Sequence, residues 1–244
     1  MKQSVILAAG LGLRLKSSLA KPLTLVNNIS LLLRTLGSHE IAGCQNTIIV
    51  LGSQANIVQE FVCSKYRGPI KIDFVINHNY YLKNGISVLS AAPFIRDDFL
   101  LTMADHILDD KIMLLVNNHH PPISGVTLCV DYKINSIFDL DDATKVFTDK
   151  GMIKKINKKL SFFNCIDTGV FVATHGLFDA ISMVYKERGD ASLSEGIQIL
   201  ADKGLVTALD IEDAFWQDVD TPEMLSHAEK LLYKSFHHSI DSLS

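Results

Sequence analysis

The chain has 244 residues and a formal net charge of −4, with 48% hydrophobic and 20% charged residues. This length suits one large domain with a sizeable core. The mildly acidic charge argues against the basic surface by which proteins usually bind nucleic acid, so we expect no nucleic-acid partner.

The cysteines and the apolar runs indicate the cellular compartment and whether the chain spans a membrane. Cys44, Cys63, Cys129 and Cys165 lie far apart without a CxxC pair, which argues against a zinc site and against a disulfide framework. No stretch approaches about 20 apolar residues, and the apolar N-terminal run has only the length of a strand. We therefore expect a soluble protein of the reducing cytoplasm without a membrane span.

Strand and helix patterns alternate through the first half of the chain. Short apolar runs predict strands, and apolar residues at helical spacing predict helices. This βαβ alternation indicates an α/β fold with a mostly parallel sheet flanked by helices on both faces. The predicted strands cover residues 4–8, 47–51, 70–76 and 99–104, and the predicted helices cover 30–41, 55–66 and 86–92.

The pattern changes after residue 125. Closely spaced strands are predicted there, two of them joined by a turn at 149–151. Thr221 is predicted to cap a last helix with Pro222 in its first turn. We expect one domain over 1–235, with a small inserted β-rich lobe at about 125–165, and a polar tail over 236–244. The predicted strands are 125–131, 144–148, 152–157, 166–173 and 205–209, with helices at 177–185 and 193–202.

A glycine-rich loop follows the first predicted strand. It contains Gly10, Gly12 and Arg14, and it leads to Lys21 and Pro22. Glycine lets backbone N–H groups line a concavity that accepts phosphate oxygens, and cations neutralise the charge of a polyphosphate. The loop therefore predicts a triphosphate-binding site, although a strand-to-helix turn with a surface arginine has the same short pattern.

A dinucleotide-binding turn is the main alternative interpretation of this loop. Such a turn has the pattern G-x-G-x-x-G at the start of a helix. Here Leu15 stands in place of the third glycine, and Pro22 disfavours helix at Lys21. We therefore expect no dinucleotide cofactor.

The loop resembles a known signature. Leu-Ala-Ala-Gly-x-Gly-x-Arg at 7–14, followed by Lys-Pro-Leu at 21–23, is similar to the signature of the sugar-phosphate nucleotidyltransferase family. The resemblance implies a Rossmann-like α/β domain of the nucleotide-diphospho-sugar transferase type, whose loop wraps the nucleotide and whose catalytic Arg14 and Lys21 contact the phosphates. Leu13 replaces a usual Thr or Ser, which removes one hydroxyl contact. Ala20 replaces a frequent Pro, which is expected to loosen the loop.

Aspartates provide candidate metal ligands. Asp105 ends a strongly apolar strand, at the edge where open α/β sheets bind ligands, although an aspartate there also suits a helix cap or a turn. The resemblance implies a second aspartate before the last helix, where Asp218 and Asp220 stand. Two aspartates suit Mg²⁺, because this ion takes oxygen ligands and bridges phosphate oxygens. The sequence does not separate Asp218 from Asp220, and Asp220 is the slightly preferred ligand.

Further segments resemble a narrower branch, the inositol-1-phosphate cytidylyltransferases. They follow the same order over nearly the whole chain, and their joint occurrence is more specific than any one of them. In this branch the domain is sometimes fused to a membrane enzyme, and we expect this chain to be a stand-alone transferase. The segments are Asn-Gly-Ile-Ser at 84–87, Met-Ala-Asp-His at 103–106, Asp-Ala-Thr-Lys-Val at 142–146, Asp-Thr-Gly-Val-Phe at 167–171, Ser-Leu-Ser-Glu at 192–195 and Trp-x-Asp-Val-Asp-Thr-Pro at 216–222.

The resemblance also implies the substrate contacts. Lys145 is expected to bind the acceptor phosphate, and Asp167 with the Thr168-Gly169 backbone is expected to hold acceptor hydroxyls. Lys145 is equally compatible with a solvated strand lysine, and Thr168-Gly169 with a close backbone approach. The expected nucleotide-binding residues are Leu7, Ala8, Ala9, Gly10, Gly12, Asn84, Gly85, Ser87 and Asp105.

Together these features predict an enzyme that joins CTP to inositol 1-phosphate and releases pyrophosphate, with Mg²⁺ as cofactor. The acceptor phosphate attacks the α-phosphorus in line, and since a phosphate monoester is largely ionised near neutral pH, no strong general base is needed. Two alternatives stay open. One is a related enzyme that uses UTP or dTTP with a hexose 1-phosphate, or CTP with phosphocholine. The other is a nucleotide sensor without chemistry.

Overall fold

The computed structural model describes residues 2–15 and 20–241, apart from the side chains of Leu13 and of residues 234–241. Within them, nine strands form one sheet in the order β5-β4-β1-β6-β11-β8-β12-β10-β9, while β7 pairs with β13 and β2 with β3. The strands are β1 (Gln3–Ala8), β2 (Leu25–Val26), β3 (Ile29–Ser30), β4 (Asn46–Leu51), β5 (Lys71–Ile76), β6 (Phe99–Met103), β7 (His106–Leu108), β8 (Val126–Asp131), β9 (Lys145–Asp149), β10 (Met152–Asn157), β11 (Cys165–Ala173), β12 (Val206–Asp210) and β13 (Trp216–Asp218).

The large sheet is mixed. Strands β5, β4, β1 and β6 are parallel, with Ile6 of β1 opposite Ile49 of β4 and Thr102 of β6. Strand β11 runs antiparallel to β6 and β8, and β9 and β10 form an antiparallel pair. The predicted α/β fold is confirmed, but the parallel pattern is continuous only in the first half, and among the described strands of the second half only β8 and β12 pair in parallel. The chain between β8 and β11 contains a β-hairpin and no crossover helix, so β11 returns antiparallel to β8.

Helices cover both faces of the sheet because alternate residues of each strand point to opposite sides. Val5 and Leu7 of β1 pack in the cluster formed with α3, α5 and α6, whereas Ile6 and Ala8 pack with α1 and α2. Among the described residues, no helix has the length and apolarity that crossing a membrane requires. The helices are α1 (Leu31–Ile41), α2 (Ala55–Lys65), α3 (Asn84–Ala91), α4 (Asp110–Asn117), α5 (Gly176–Arg188), α6 (Leu193–Asp202) and α7 (Pro222–Asp241).

Three parts of the second half differ from the expectation. Strand β8 lies inside the large sheet, and β9 and β10 extend that sheet at its edge, so the strands of the expected lobe share one sheet with the rest. Helix α4 and the short β7–β13 pair had no predicted counterpart. Helix α7 continues through residues 236–241 of the expected polar tail, and residues 242–244 lie outside the described part.

Candidate active site

Two cavities meet at the carboxyl ends of β1 and β6. One of about 340 Å³ follows the glycine-rich loop, and one of about 330 Å³ extends towards β11 and α6. Leu7, Gly10, Asp105 and Asp220 line both cavities. The site therefore lies at the strand edge where open α/β sheets bind their ligands, as the position of Asp105 predicted.

The loop after β1 brings its cations close to the strand ends. Gly12 has φ +62°, and a Cβ atom built on it would lie 2.6 Å from the Cβ of Lys21, so only glycine fits this approach. Lys21–Leu23 forms a single 3-10 turn, although Pro22 was expected to disfavour helix at Lys21. The expected effect of Leu13 on phosphate contacts concerns a side chain outside the described part.

Lys21 lies between two carboxylates. Its Nζ donates to Asp105 Oδ2 and to Asp220 Oδ1. Burial alone would lower the pKa of Lys21, but the two carboxylates outweigh it and raise this pKa. Burial alone would raise the pKa of Asp105, but Lys21 and His106 outweigh it and hold this pKa below its usual range. The site therefore contains a charged lysine and an ionised aspartate at neutral pH.

Arg14 and Lys158 face each other through Asp142. Arg14 donates to Asp142 Oδ2 at 2.9 Å and to Asp220, and Lys158 donates to Asp142 Oδ1 at 2.7 Å. Burial opposes ionisation of Asp142, but Lys158 and Arg14 together lower its pKa. One carboxylate thus bridges Arg14 of the glycine-rich loop and Lys158, which directly follows β10.

Carboxylates suited to a divalent ion gather beside these cations. One carboxylate oxygen each of Asp142, Asp218 and Asp220 lie within 4.8 Å of one another. Burial raises the pKa of Asp218, and the charges of Asp220 and Asp105 add to this rise, so a cation at this place would relieve their repulsion. Hard oxygen ligands are what Mg²⁺ prefers, and the residues present therefore fit this ion.

The side of the cavity near α3 contains the predicted base-contacting residues. Asn84 and Ser87 line the cavity, and Asn77 donates to Ser87 Oγ at 3.0 Å. Gly85 instead packs against the start of α6, where a Cβ atom on it would lie 2.4 Å from the carbonyl oxygen of Ala191. Gly85 therefore shapes this wall through close helix packing.

The acceptor-side residues separate into two groups. Asp167 and Gly169 line the cavity, and the Gly169 N–H donates to Asp167 Oδ1 at 2.8 Å. Burial raises the pKa of Asp167 to about 6, against the opposing effects of that hydrogen bond and of His106. Thr168 is fully buried and donates to the Cys129 carbonyl, so its side chain points away from the cavity.

Lys145 does not line either cavity. It is buried, and its Nζ donates to the Asp141 carbonyl at 2.8 Å, which fixes the loop that carries Asp142. Lys158 instead lines the cavity that extends towards β11 and α6. It was missed because it is one of four lysines between residues 154 and 159, and no local pattern separates the one that faces inward.

His106 and Trp216 were also absent from the expected site residues. The two rings stack with centroids 5.8 Å apart, and His106 Nδ1 lies 2.8 Å from Asp105 Oδ1. Both belong to the β7–β13 pair, whose short strands gave no periodic signal. His106 follows the predicted Asp105, and Trp216 lies two residues before the predicted Asp218. This closeness in sequence was the one signal that could have placed them in the site.

The structure is an α/β domain whose cations and carboxylates gather at the carboxyl ends of its parallel strands. The chain belongs to the family of MobA-like NTP transferase domains, whose model matches residues 4–131. This family confirms the nucleotidyltransferase class predicted from the loop.

Relatives in the curated proteins match along nearly the whole chain. A protein of Aquifex aeolicus named bifunctional IPC transferase and DIPP synthase is 30% identical over 248 residues, which cover 96% of this chain and 53% of that protein. A protein of the same name from Archaeoglobus fulgidus is 31% identical over 239 residues, which cover 95% and 44%. The chain thus spans about half the length of these relatives.

A solved structure shares the fold. The inositol-1-phosphate CTP transferase of T. maritima superposes with a TM-score of 0.81 and 24% sequence identity, covering 94% of this chain and 96% of that one. This likeness confirms the nucleotide-diphospho-sugar transferase type of fold that the resemblance implied.

Proposed function

We propose that this chain transfers the cytidylyl group of CTP to the phosphate of inositol 1-phosphate, giving CDP-inositol and pyrophosphate. The observation that carries the proposal is Lys21, held between Asp105 and Asp220 where the two cavities meet. The names of the Aquifex and Archaeoglobus relatives and of the T. maritima structure support the choice of inositol phosphate and CTP.

The reaction needs positioning and charge neutralisation more than proton transfer. An oxygen of the acceptor phosphate forms a bond to the α-phosphorus of CTP. The bond from that phosphorus to the oxygen bridging to the β-phosphorus breaks, and pyrophosphate leaves with the electron pair. Because the attacking phosphate is already ionised, the protein's task is to hold the two anionic groups in line.

The glycine-rich loop provides the nucleotide side of this arrangement. Backbone N–H groups around Gly10 and Gly12 surround the triphosphate, while Lys21 and Arg14 neutralise the charge that develops on it. Arg14 exchanges its contacts with Asp142 and Asp220 for phosphate oxygens. Asn84 and Ser87 line the wall where the base lies, and Ser87 is oriented by Asn77.

The acceptor side is formed by Lys158, Asp167 and Gly169. Lys158 faces the cavity that extends towards β11 and α6, and it takes the role that the resemblance assigned to Lys145. Its ammonium binds the acceptor phosphate, and Asp167 accepts hydrogen bonds from acceptor hydroxyls. Lys158 and Asp167 both line the cavity that extends towards β11 and α6, so an acceptor bound there would lie next to a nucleotide in the loop cavity.

The metal site uses the carboxylates that meet beside Lys21. Asp220 of the carboxylate cluster and Asp105, which share the Lys21 ammonium, would hold Mg²⁺, with Asp218 beside them. A bound Mg²⁺ supplies charge neutralisation at the phosphate oxygens of the nucleotide. Lys21 contacts both proposed ligands, so its positive charge reduces the repulsion between their carboxylates.

We place this activity in the cytoplasm, with small molecules as its only substrates. Cys44, Cys129 and Cys165 are buried thiols, and all four cysteines are free. Unpaired cysteines in these positions suit a reducing compartment.

A substrate matrix tests the proposed function. Pyrophosphate release is measured with Mg²⁺ for CTP, UTP, dTTP, ATP and GTP, each combined with inositol 1-phosphate, glucose 1-phosphate and phosphocholine. We expect turnover with CTP and inositol 1-phosphate, and none after chelation of the metal. Turnover with another pair alone would replace the substrates and keep the reaction class. Nucleotide binding by calorimetry without release from any pair would favour a nucleotide sensor.

A further inference from the structure

His106 occupies a restricted position between the two sides of the site. It follows Asp105 directly, and it lies opposite Asp218 in the β7–β13 pair. Its side chain is 14% exposed and lines the cavity that extends towards β11 and α6. The reaction outlined above gives this imidazole no task, since the acceptor phosphate needs no general base.

The hydrogen bond between His106 and Asp105 has a defined direction. Asp105 forms an ion pair with the Lys21 ammonium, and a carboxylate in an ion pair only accepts hydrogen bonds. His106 Nδ1–H therefore donates to Asp105 Oδ1 at 2.8 Å. The other oxygen, Oδ2, accepts from Lys21. The imidazole and the ammonium thus each bind one oxygen of this carboxylate.

The imidazole itself is held on two sides. Trp216 stacks against it at 5.8 Å with an interplanar angle of 14°. Trp216 Nε1 in turn donates to the buried Asp131 at 3.0 Å, so the indole is also fixed. Gly169, with φ +76°, lies against the ring, and a Cβ atom on it would come 2.7 Å from His106 Nε2. A ring held this way has one orientation available.

We propose that His106 is a positioning residue that fixes the Asp105 carboxylate for the divalent cation and the nucleotide phosphates. The inference rests on the proposed metal site. Partners that hydrogen-bond to ligating carboxylates orient them, and losing such a partner typically weakens metal binding or activity by about 10–100-fold. A ring that only fills space between Trp216 and Gly169 would show no such effect.

Two substitutions separate orientation from packing. His106→Phe keeps a planar ring between Trp216 and Gly169 but removes the Nδ1–H donor. His106→Asn removes the ring but keeps an amide N–H where Nδ1 lies, so donation to Asp105 is retained. His119→Phe is the matched control, because His119 is a half-buried histidine that hydrogen-bonds to Thr127 outside the site. Thermal denaturation of all variants first identifies those that fold.

The readouts are metal binding and steady-state kinetics. Mn²⁺ binding is titrated by electron paramagnetic resonance in the presence of CTP, and pyrophosphate release is measured against Mg²⁺ and inositol 1-phosphate. For His106→Phe we expect Mn²⁺ affinity and kcat to fall by about tenfold or more, with the KM for inositol 1-phosphate little changed. His106→Asn is expected to retain most of the Mn²⁺ affinity, and His119→Phe all of it.

The opposite pattern would overturn the inference. Wild-type Mn²⁺ affinity in His106→Phe, together with a loss in His106→Asn, would show that the ring acts through packing alone. Wild-type protein that binds no Mn²⁺ with CTP would also overturn it. Failure of the proposed function is recognised separately, because wild-type protein would then release no pyrophosphate while the Mn²⁺ titrations still compare the variants.

Discussion

The Lys21 side chain contacts two of the carboxylates of this site at once. The glycine at position 12 lets the loop pass against it, and two carboxylates from distant parts of the chain contact its ammonium. A lysine so buried would normally lose its proton more readily, but its partners raise its pKa, and it stays a cation. In the proposed site, a triphosphate would therefore meet a preorganised positive charge.

Replacing Lys21 by alanine removes that charge from the reacting phosphates. We expect kcat of Lys21→Ala to fall roughly 10²–10³-fold, since one preorganised contact of this kind contributes about 3–4 kcal/mol to the transition state. Lys71→Ala is the control, because Lys71 forms only an exposed ion pair with Asp73 at 3.8 Å. Near-wild-type turnover by Lys21→Ala would refute the assignment of Lys21 as a catalytic residue.

The two lysines considered for acceptor binding differ in their surroundings: Lys158 lines a cavity, whereas Lys145 is buried against the Asp141 carbonyl. Lys158→Ala is expected to raise the KM for inositol 1-phosphate by about tenfold or more, because a hydrogen bond to a charged group contributes about 1.5–3 kcal/mol. Lys145→Ala is expected to lower the free energy of unfolding while changing this KM little, since its ammonium bonds to the Asp141 carbonyl. Initial rates at varied acceptor and urea denaturation measure both. A larger KM effect for Lys145→Ala would restore the sequence-based assignment.

Asp167 predicts a pH dependence of acceptor binding. Its pKa is raised to about 6 by burial, so its carboxyl is neutral below that pH and ionised above it. If the ionised form accepts hydrogen bonds from the acceptor hydroxyls, these bonds are lost as the pH falls through about 6, and kcat/KM for inositol 1-phosphate falls with them. The acceptor phosphate titrates in the same range, and the ratio of wild type to Asp167→Asn cancels its effect. A ratio that stays constant from pH 5 to 8 would contradict this role.

At the scale of elements, the wall of the base side depends on how closely α3 meets the start of α6. Asn84 Oδ1 accepts the Leu193 N–H at 2.9 Å, and Ser192 and Glu195 form a capping box at the same helix end. Gly85 allows this approach. The helix packing and the predicted base contacts are therefore parts of one arrangement.

Gly85→Ala tests that arrangement. Its new methyl group would lie 2.4 Å from the Ala191 carbonyl oxygen, and we expect the free energy of unfolding to fall by about 1–3 kcal/mol from overpacking. The KM for CTP should rise as α3 shifts. Gly10→Ala is the stability control, because nothing lies within 4 Å of the added Cβ and its change should stay within about 0.5 kcal/mol. Equal unfolding curves for both variants would exclude the packing role.

Most of the elements could be predicted from local pattern, since β1, β4 and the helices α1 and α2 carry long apolar runs or helical spacing. The carboxylate Asp105 was predictable because a strand end is visible in the sequence. The pairing direction of β11 was not, because apolar alternation is the same in parallel and antiparallel strands. The inward direction of Lys158 was not predictable either, because the direction of a lysine at the end of a hairpin strand depends on the sheet that the hairpin joins.

Across the whole molecule, the site joins two structural halves. The parallel strands β1 and β6 present the glycine-rich loop and Asp105, whereas β11, antiparallel to β6, presents Asp167 and Gly169. Arg14 of the loop and Lys158, which follows β10, share the Asp142 carboxylate. Ligands that replace these contacts tie the loop to the opposite wall, so binding should stabilise the entire fold.

Thermal unfolding measures this linkage directly. A ligand that binds only the folded state at about 100 times its Kd adds about 2.7 kcal/mol, which for a chain of this size corresponds to a rise in Tm of roughly 5–10 °C. We expect that rise with CTP and Mg²⁺, and a much smaller one with CTP after chelation, because repulsion between the triphosphate and Asp105, Asp218 and Asp220 is then uncompensated. Equal Tm shifts with and without the metal would show that the nucleotide binds independently of the carboxylates.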